Sequence, residues 1–174
     1  MANRRASAGE PARVCFVCMG NICRSPMAEA VMRDLIRQAG LTASIEVDSA
    51  GTSNQHVGDA PDVRALDVLR TRGVSVTHRG RQFTRSFFDS HDLLLVMDVE
   101  NRTQVLRLAP NGDEAAKIRL LRSFDAEADA DGATEIADPY YGGPDDFARV
   151  FDEILASCRG LLAYIQKEYL DQHE

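Results

Sequence analysis

Short apolar runs alternate with amphipathic segments along this chain of 174 residues. The run at 92–97 is nearly continuous, which is typical of a parallel strand covered on both faces, and the segments between the runs have helical spacing. This alternation predicts an α/β domain with a mostly parallel sheet. The predicted strands are 13–18, 44–48, 92–97 and 117–121, and the predicted helices are 26–39, 61–72, 99–108 and 146–169.

We expect a single three-layer domain over residues 13–172, in which four parallel strands have the flavodoxin-like order 2-1-3-4 and helices cover both faces. Residues 1–12 contain no apolar run and predict a disordered arm. Ligands of such sheets bind beyond the carboxyl ends of the strands. The loops 18–24, 49–58 and 125–141, the last of them long and acidic, should therefore meet at that edge.

Charge and hydropathy exclude several classes of protein. The formal net charge of −7 argues against a nucleic-acid partner, because nucleic-acid binding depends on a basic surface. The sequence contains no run of about 18 apolar residues, so no membrane-spanning helix is predicted. The N-terminal residues lack the apolar core of a secretory signal, and four cysteines are too few for a disulfide scaffold, so a cytoplasmic location is expected.

The loop after the first strand carries the chemistry. It reads Cys18-Met-Gly-Asn-Ile-Cys-Arg24-Ser25 and leads into a helix. Such a loop turns its backbone N–H groups inward as an anion-binding nest, and we expect Gly20 to permit the required backbone conformation. Arg24 offers two donors that match a pair of phosphate oxygens, and the nest favours the thiolate of Cys18. A thiolate beneath a tetrahedral oxyanion is placed for in-line attack.

The whole chain resembles the low-molecular-weight protein tyrosine phosphatases. The resemblance begins near residue 13 and extends to the C-terminal helix, with motifs in the family's order and spacing. The matching segments are 17–30 (VCMGNICRSPMAEA), 48–53 (DSAGTS), 77–82 (THRGRQ), 96–98 (VMD) and 138–142 (DPYYG).

The resemblance implies hydrolysis of phosphotyrosine in proteins through a phosphocysteine intermediate, without a metal or another cofactor. Cys18 would be the nucleophile and Arg24 the phosphate clamp. Asp138 would protonate the leaving oxygen and then activate water, and Ser25 would hydrogen-bond the thiolate when it leaves. The implied partners are a tyrosine-phosphorylated protein and a cognate tyrosine kinase, and we expect a monomer or a weak dimer.

The resemblance also assigns supporting roles. The phosphate-binding loop comprises Cys18, Met19, Gly20, Asn21, Ile22, Cys23, Arg24 and Ser25. Asn21, Ser49 and His78 would form the polar network that shapes this loop. Cys23 would trap oxidised Cys18 as a reversible disulfide.

The walls of the implied pocket depart from the family's pattern on one side. Tyr140 and Tyr141 would form an aryl-binding wall, whereas Gln55, followed by His56, stands where the family often has an aromatic residue. Ile22 favours tyrosine, because the related protein-arginine phosphatases carry threonine at that position.

Two other functions are also compatible with the sequence. An arsenate reductase on the same scaffold would relay a disulfide through further cysteines, yet no cysteine lies between Cys23 and Cys158. A phosphate-binding module without turnover is the third candidate. Cys15 and Cys158 are interpreted as core residues, and no metal site is predicted, because the pair Cys15 and Cys18 lacks a second ligand pair. The arginines Arg70, Arg72, Arg79, Arg81 and Arg85 are interpreted as a solvated surface.

Overall fold

Four parallel strands form the centre of the computed structural model, which describes residues 9–171. The strands are β1 (Ala12–Cys18), β2 (Ile45–Gly51), β3 (Leu93–Val96) and β4 (Ile118–Leu120), in the order β2-β1-β3-β4. The predicted sheet and its strand order are therefore confirmed.

Helices connect the strands. They are α1 (Arg24–Gln38), α2 (Val63–Thr71), α3 (Phe87–Ser90), α4 (Val99–Leu106), α5 (Gly112–Ala115), α6 (Ala126–Ala130) and α7 (Pro144–Ile165). A 3₁₀ turn follows β4 at Leu121–Phe124, and a π-helical turn follows α7 at Gln166–Leu170.

Alternate strand residues form two separate cores, one on each face of the sheet. Phe16 and Leu95 contribute to the larger core, together with α1, α2 and α7. Val17 and Leu94 face the smaller core, which includes Phe88 of α3. Because both faces are covered, the domain has the three layers that the sequence predicted.

Several predicted boundaries were wrong. Helix α1 begins at Arg24, so Pro26 is its third residue rather than its first. There it costs little, because the first four N–H groups of a helix have no intrahelical acceptor. Strand β2 continues to Gly51, three residues beyond its predicted end. The predicted acidic loop contains α6, whose start is capped because the Asp125 carboxylate accepts from the amides of Glu127 and Ala128.

The N-terminal arm predicted for residues 1–12 lies largely outside the described residues, and β1 already begins at Ala12. The predicted domain end at 172 is also outside them. Within residues 9–171, no helix combines the length and the apolar character that a membrane crossing requires.

Candidate active site

The three loops predicted to meet do so around a cavity of about 140 Å³. The loop after β1 contributes its floor, and one residue pair comes from the loop after β2. A further group comes from the segment before α7. The lining residues are Cys18, Met19, Gly20, Ile22, Cys23, Arg24, Gln55, His56, Asp138, Tyr140 and Tyr141.

The turn of the phosphate-binding loop depends on Asn21 rather than on Gly20. Asn21 has φ 57°, and it is the one non-glycine residue with positive φ between residues 9 and 171. Asparagine tolerates this left-handed conformation better than most residues. Gly20 needs no such conformation. The loop instead requires the absence of a side chain at Gly51, where a Cβ would lie 2.8 Å from the carbonyl oxygen of Met19.

The Cys18 sulfur lies at the floor of the cavity and is almost fully buried. The amide of Asn21 donates to Sγ at 3.3 Å, and the hydroxyl of Ser25 lies 3.0 Å from it. Helix α1 begins six residues beyond Cys18 in sequence. These dipoles stabilise negative charge on the sulfur, and Ser25 is within reach of a leaving thiolate.

The side chain of Asn21 connects the loop to β2. Its Nδ2 donates to Ser25 Oγ at 2.8 Å and to Ser49 Oγ at 3.0 Å, and its Oδ1 accepts from the amide of Arg81 at 3.0 Å. His78 completes the network, because Nε2 lies 2.9 Å from the carbonyl oxygen of Asn21 and Nδ1 lies 3.4 Å from Ser49 Oγ. The three predicted supporting residues are thus brought together around one backbone turn.

Two participants in this network lacked an assigned role in the sequence analysis. Glu29 is buried in α1, and its carboxylate lies 3.4 Å from His78 Nδ1. Arg81, which was interpreted as part of a solvated surface, donates through Nε to the carbonyl oxygen of Ser49 at 2.9 Å and pairs with Asp48 at 2.6 Å. Its guanidinium is half exposed, yet it is held in place.

Arg24 is buried and rigidly held. Its Nη1 donates to Asp98 at 2.6 Å and to the carbonyl oxygen of Ile136 at 2.8 Å. Burial opposes the charge, but Cys18 and the Asp98 carboxylate outweigh it, so the pKa of the guanidinium lies above its ordinary value. Asp98 belongs to a quoted motif but had no predicted role; it positions Arg24 and also caps α4.

Asp138 stands at the rim of the cavity. One carboxylate oxygen lies 3.7 Å from Arg24 Nη2, and the other accepts from the amide of Tyr140 at 3.1 Å. This second bond orients the carboxylate across the intervening proline. The side chain is about one-third exposed, so it has access to both the cavity and water.

The two tyrosines form one wall with an edge-to-face contact at 5.0 Å. Arg64 lies over the ring of Tyr140 at 5.6 Å and donates to the carbonyl oxygen of Gly142 at 3.0 Å. No sequence motif indicates this support from Arg64. Tyr141 remains fully open to solvent, with 95% exposure.

The opposite wall consists of Gln55 and His56 and is polar. His56 Nδ1 lies 3.0 Å from the Asp59 carboxylate, and its ring closely faces Gly20. The cavity therefore has an aromatic side and a hydrogen-bonding side, and the role of these residues as substrate walls stays a prediction.

Cys23 immediately precedes α1 and is buried. Desolvation, reinforced by the nearby charge of Asp62, raises the pKa of its thiol far above the ordinary value. The thiol form is therefore favoured at neutral pH. The role of Cys23 as a redox partner of Cys18 stays a prediction.

An α/β domain with an amide-lined loop between a cysteine and a buried arginine defines the class of proteins that bind a tetrahedral oxyanion beside a nucleophile. Comparison with known families identifies one family within this class. The model of the family "Low molecular weight phosphotyrosine protein phosphatase" matches residues 13–171. The chain belongs to this family.

Individual relatives agree with that membership. A low molecular weight protein-tyrosine-phosphatase of Streptomyces coelicolor is 47% identical over 156 residues, which cover 90% of this chain and 94% of the relative. A protein tyrosine phosphatase of Entamoeba histolytica has a similar structure, with a TM-score of 0.85 and 36% identity over 91% of this chain and 99% of its own. A drosophila arginine phosphatase also matches, with a TM-score of 0.81 and 32% identity over 89% of this chain and 98% of its own.

Proposed function

We propose that this protein is a protein-tyrosine-phosphatase, a phosphoric monoester hydrolase that acts on phosphotyrosine in proteins through a phosphocysteine intermediate. The observation that carries the proposal is the meeting of three groups in one cavity: the Cys18 sulfur, the Arg24 guanidinium and the Asp138 carboxylate. The family membership supports the same reaction.

In the first step, the Cys18 thiolate attacks phosphorus. The P–S bond forms while the bond between phosphorus and the aryl oxygen breaks, and Asp138 gives its proton to that oxygen. Arg24 and the loop amides hold the equatorial oxygens, where charge must be stabilised. The ion pair of Arg24 with Asp98 fixes the guanidinium before the substrate arrives, which lowers the ordering cost of binding.

In the second step, water attacks the phosphocysteine. Asp138, now ionised, takes a proton from that water, and inorganic phosphate leaves as the P–S bond breaks. The electron pair returns to the Cys18 sulfur, where the Ser25 hydroxyl at 3.0 Å donates to it. The Asn21 amide at 3.3 Å assists.

The pocket supports an aryl rather than an alkyl or guanidinium phosphate. Tyr140 and Tyr141 give it an aromatic wall, and Ile22 adds apolar surface beside the loop. The polar wall of Gln55 and His56 faces the substrate from the other side. An aryl ring can stack on the first wall, whereas the apolar side chain of Ile22 offers no acceptor to the N–H donors of a phosphoguanidinium group.

The direct test compares three phosphopeptides of one sequence, which carry phosphotyrosine, phosphoserine or phosphoarginine, by release of inorganic phosphate. We expect turnover of the phosphotyrosine peptide, with Cys18→Ser inactive and Cys158→Ala as a matched control that retains activity. Preference for phosphoarginine would refute the substrate assignment. Activity in Cys18→Ser would refute the mechanism.

Arsenate reduction receives no support from the positions of the cysteines. Cys158 is fully buried on α7, with its sulfur against the carbonyl oxygen of Ala28, and it does not stand on a segment that could carry a disulfide relay. We further propose that residues 13–172 form the phosphatase domain and that the protein acts in the cytoplasm, as a monomer or weak dimer, on the product of a cognate tyrosine kinase.

A further inference from the structure

Outside the catalytic cavity, three potential ligand atoms converge at the edge of the sheet. They are Sγ of Cys15, a carboxylate oxygen of Asp48 and a ring nitrogen of His91, all within 4.8 Å of one another. Cys15 and Asp48 are register partners on β1 and β2, so their side chains share one face of the sheet. His91 reaches them from the residue after α3.

The ring of His91 is oriented as a metal-binding histidine is. Its Nδ1 lies 3.2 Å from the carbonyl oxygen of Phe87, which can only accept, and 2.8 Å from Ser90 Oγ. The ring also stacks on Phe87 at 5.1 Å. A proton on Nδ1 satisfies the Phe87 carbonyl oxygen. Nε2 points at Asp48, 2.9 Å from both carboxylate oxygens, and carries a second proton in the absence of a metal ion.

An ion can enter this cluster from solvent. Asp48 and His91 line a groove of about 660 Å³ along the outer edge of β2, and Cys15 lies behind them, fully buried. Three protein ligands leave a fourth position that a water molecule from the groove can occupy.

We propose that Cys15, Asp48 and His91 form a binding site for a divalent zinc ion. A thiolate, an imidazole and a carboxylate together are the donor set that zinc prefers over magnesium or calcium. The site is separate from the catalytic cavity, and the proposal does not depend on the proposed function.

Binding replaces protons with the ion. The Cys15 thiol loses its proton to solvent, Nε2 of His91 gives up the proton it shares with Asp48, and both atoms then bind the metal. Tetrahedral zinc holds its ligand atoms about 3.5 Å apart. Nε2 of His91 and the Asp48 carboxylate, which are 2.9 Å apart, must therefore separate slightly, whereas ligand atoms as far apart as 4.8 Å must approach by about 1 Å. Arg81 can keep its contact with one oxygen of Asp48 while the other oxygen binds the ion.

The test uses the full chain with Cys18→Ser, because the catalytic sulfur would itself bind a thiophilic ion. Cobalt(II) is titrated into the metal-free protein, and the thiolate-to-cobalt charge-transfer band is followed; zinc should then displace the cobalt and abolish the band. We expect one equivalent of cobalt per chain. Cys15→Ala should abolish the band, and His91→Leu should weaken cobalt binding by at least about tenfold.

Matched controls come from the catalytic pocket, where Cys23 and His56 offer the same two side-chain types outside the proposed zinc site. Cys23→Ala and His56→Leu should leave both the band and the affinity unchanged. Circular dichroism establishes that each variant is folded, and Asp48→Asn tests the same site should Cys15→Ala fail to fold. Absence of the band, or a band that survives Cys15→Ala and disappears in Cys23→Ala, would overturn the proposal.

Discussion

Asn21 should contribute more to stability than any other polar residue of the catalytic loop, and its contribution has two separable parts. Its side chain makes three hydrogen bonds: those to Ser25 and Ser49 are buried, and the one from the amide of Arg81 is partly buried. Its backbone has φ 57°, where an ordinary side chain is strained. Alanine loses both contributions, whereas glycine loses only the first.

The magnitudes follow from these contacts. At about 1 kcal/mol for each of the three hydrogen bonds, the side chain contributes about 3 kcal/mol. The left-handed conformation costs alanine roughly another 1 kcal/mol. We therefore expect Asn21→Ala to lower the free energy of unfolding by about 4 kcal/mol and Asn21→Gly by about 3 kcal/mol. Asn21→Asp should keep the bond from Arg81 and the favourable φ, but it places a negative charge beside Cys18.

Urea denaturation of the three variants, followed by circular dichroism, measures these differences, and phosphate release from an aryl phosphate measures the consequence for the loop. Asn21→Asp should be the most stable of the three but should lose activity, because its carboxylate repels both the thiolate and the substrate. An alanine variant within about 1 kcal/mol of the wild type, or a glycine variant less stable than alanine, would refute this account of the loop.

Three further predictions concern other groups. Asp138→Asn should lower kcat by roughly 10²–10⁴-fold for an aryl phosphate with a strongly basic leaving group and much less for a nitrophenyl phosphate, which steady-state kinetics on the two substrates checks. The pKa of the Asp48 carboxyl lies below its ordinary value. Burial alone would raise this pKa, but the hydrogen bond from His91 and the charge of His91 outweigh the effect of burial. The ionised carboxylate therefore stabilises the fold above the unfolded-state pKa of about 3.9, and this stability is lost as the pH falls through the lower folded-state value. Asp48→Asn should consequently flatten the acid limb of a plot of unfolding free energy against pH, and an unchanged limb would contradict this reasoning. Cys23→Ala should leave turnover intact, but without a sulfur to trap the sulfenic acid of Cys18, excess peroxide should oxidise it further to the sulfinic acid, which dithiothreitol does not reduce. Full recovery of activity after excess peroxide would contradict the redox role.

The fold and the catalytic constellation were predictable because both depend on local patterns. Apolar runs specified the strands, and a motif with few structural solutions specified the loop from Cys18 to Arg24. Asp138 was found despite a separation of 114 residues from Arg24, because the resemblance to the family covers the whole chain.

The rest depends on contacts that no local pattern encodes. The positive φ belongs to Asn21 and not to Gly20, and from that turn the asparagine side chain contacts three partners that are distant in sequence or in the next element. In sequence, Arg81 is indistinguishable from a solvated arginine, because only the fold places Asp48 beside it. The zinc ligands come from three elements with no ligand spacing in sequence, and only the register of β1 with β2 brings Cys15 next to Asp48.

The central claim is that phosphate is transferred to Cys18 before it reaches water. Rapid acid quenching of the wild type during turnover of an aryl phosphate, followed by proteolysis and mass spectrometry, tests it directly. We expect one phosphate on the peptide that contains Cys18, and fragmentation should assign it to that sulfur rather than to Cys15 or Cys23. With a reactive aryl phosphate, Asp138→Ala should accumulate more of this phosphocysteine than the wild type. Turnover without a phosphorylated cysteine, or with phosphate on another residue, would contradict it.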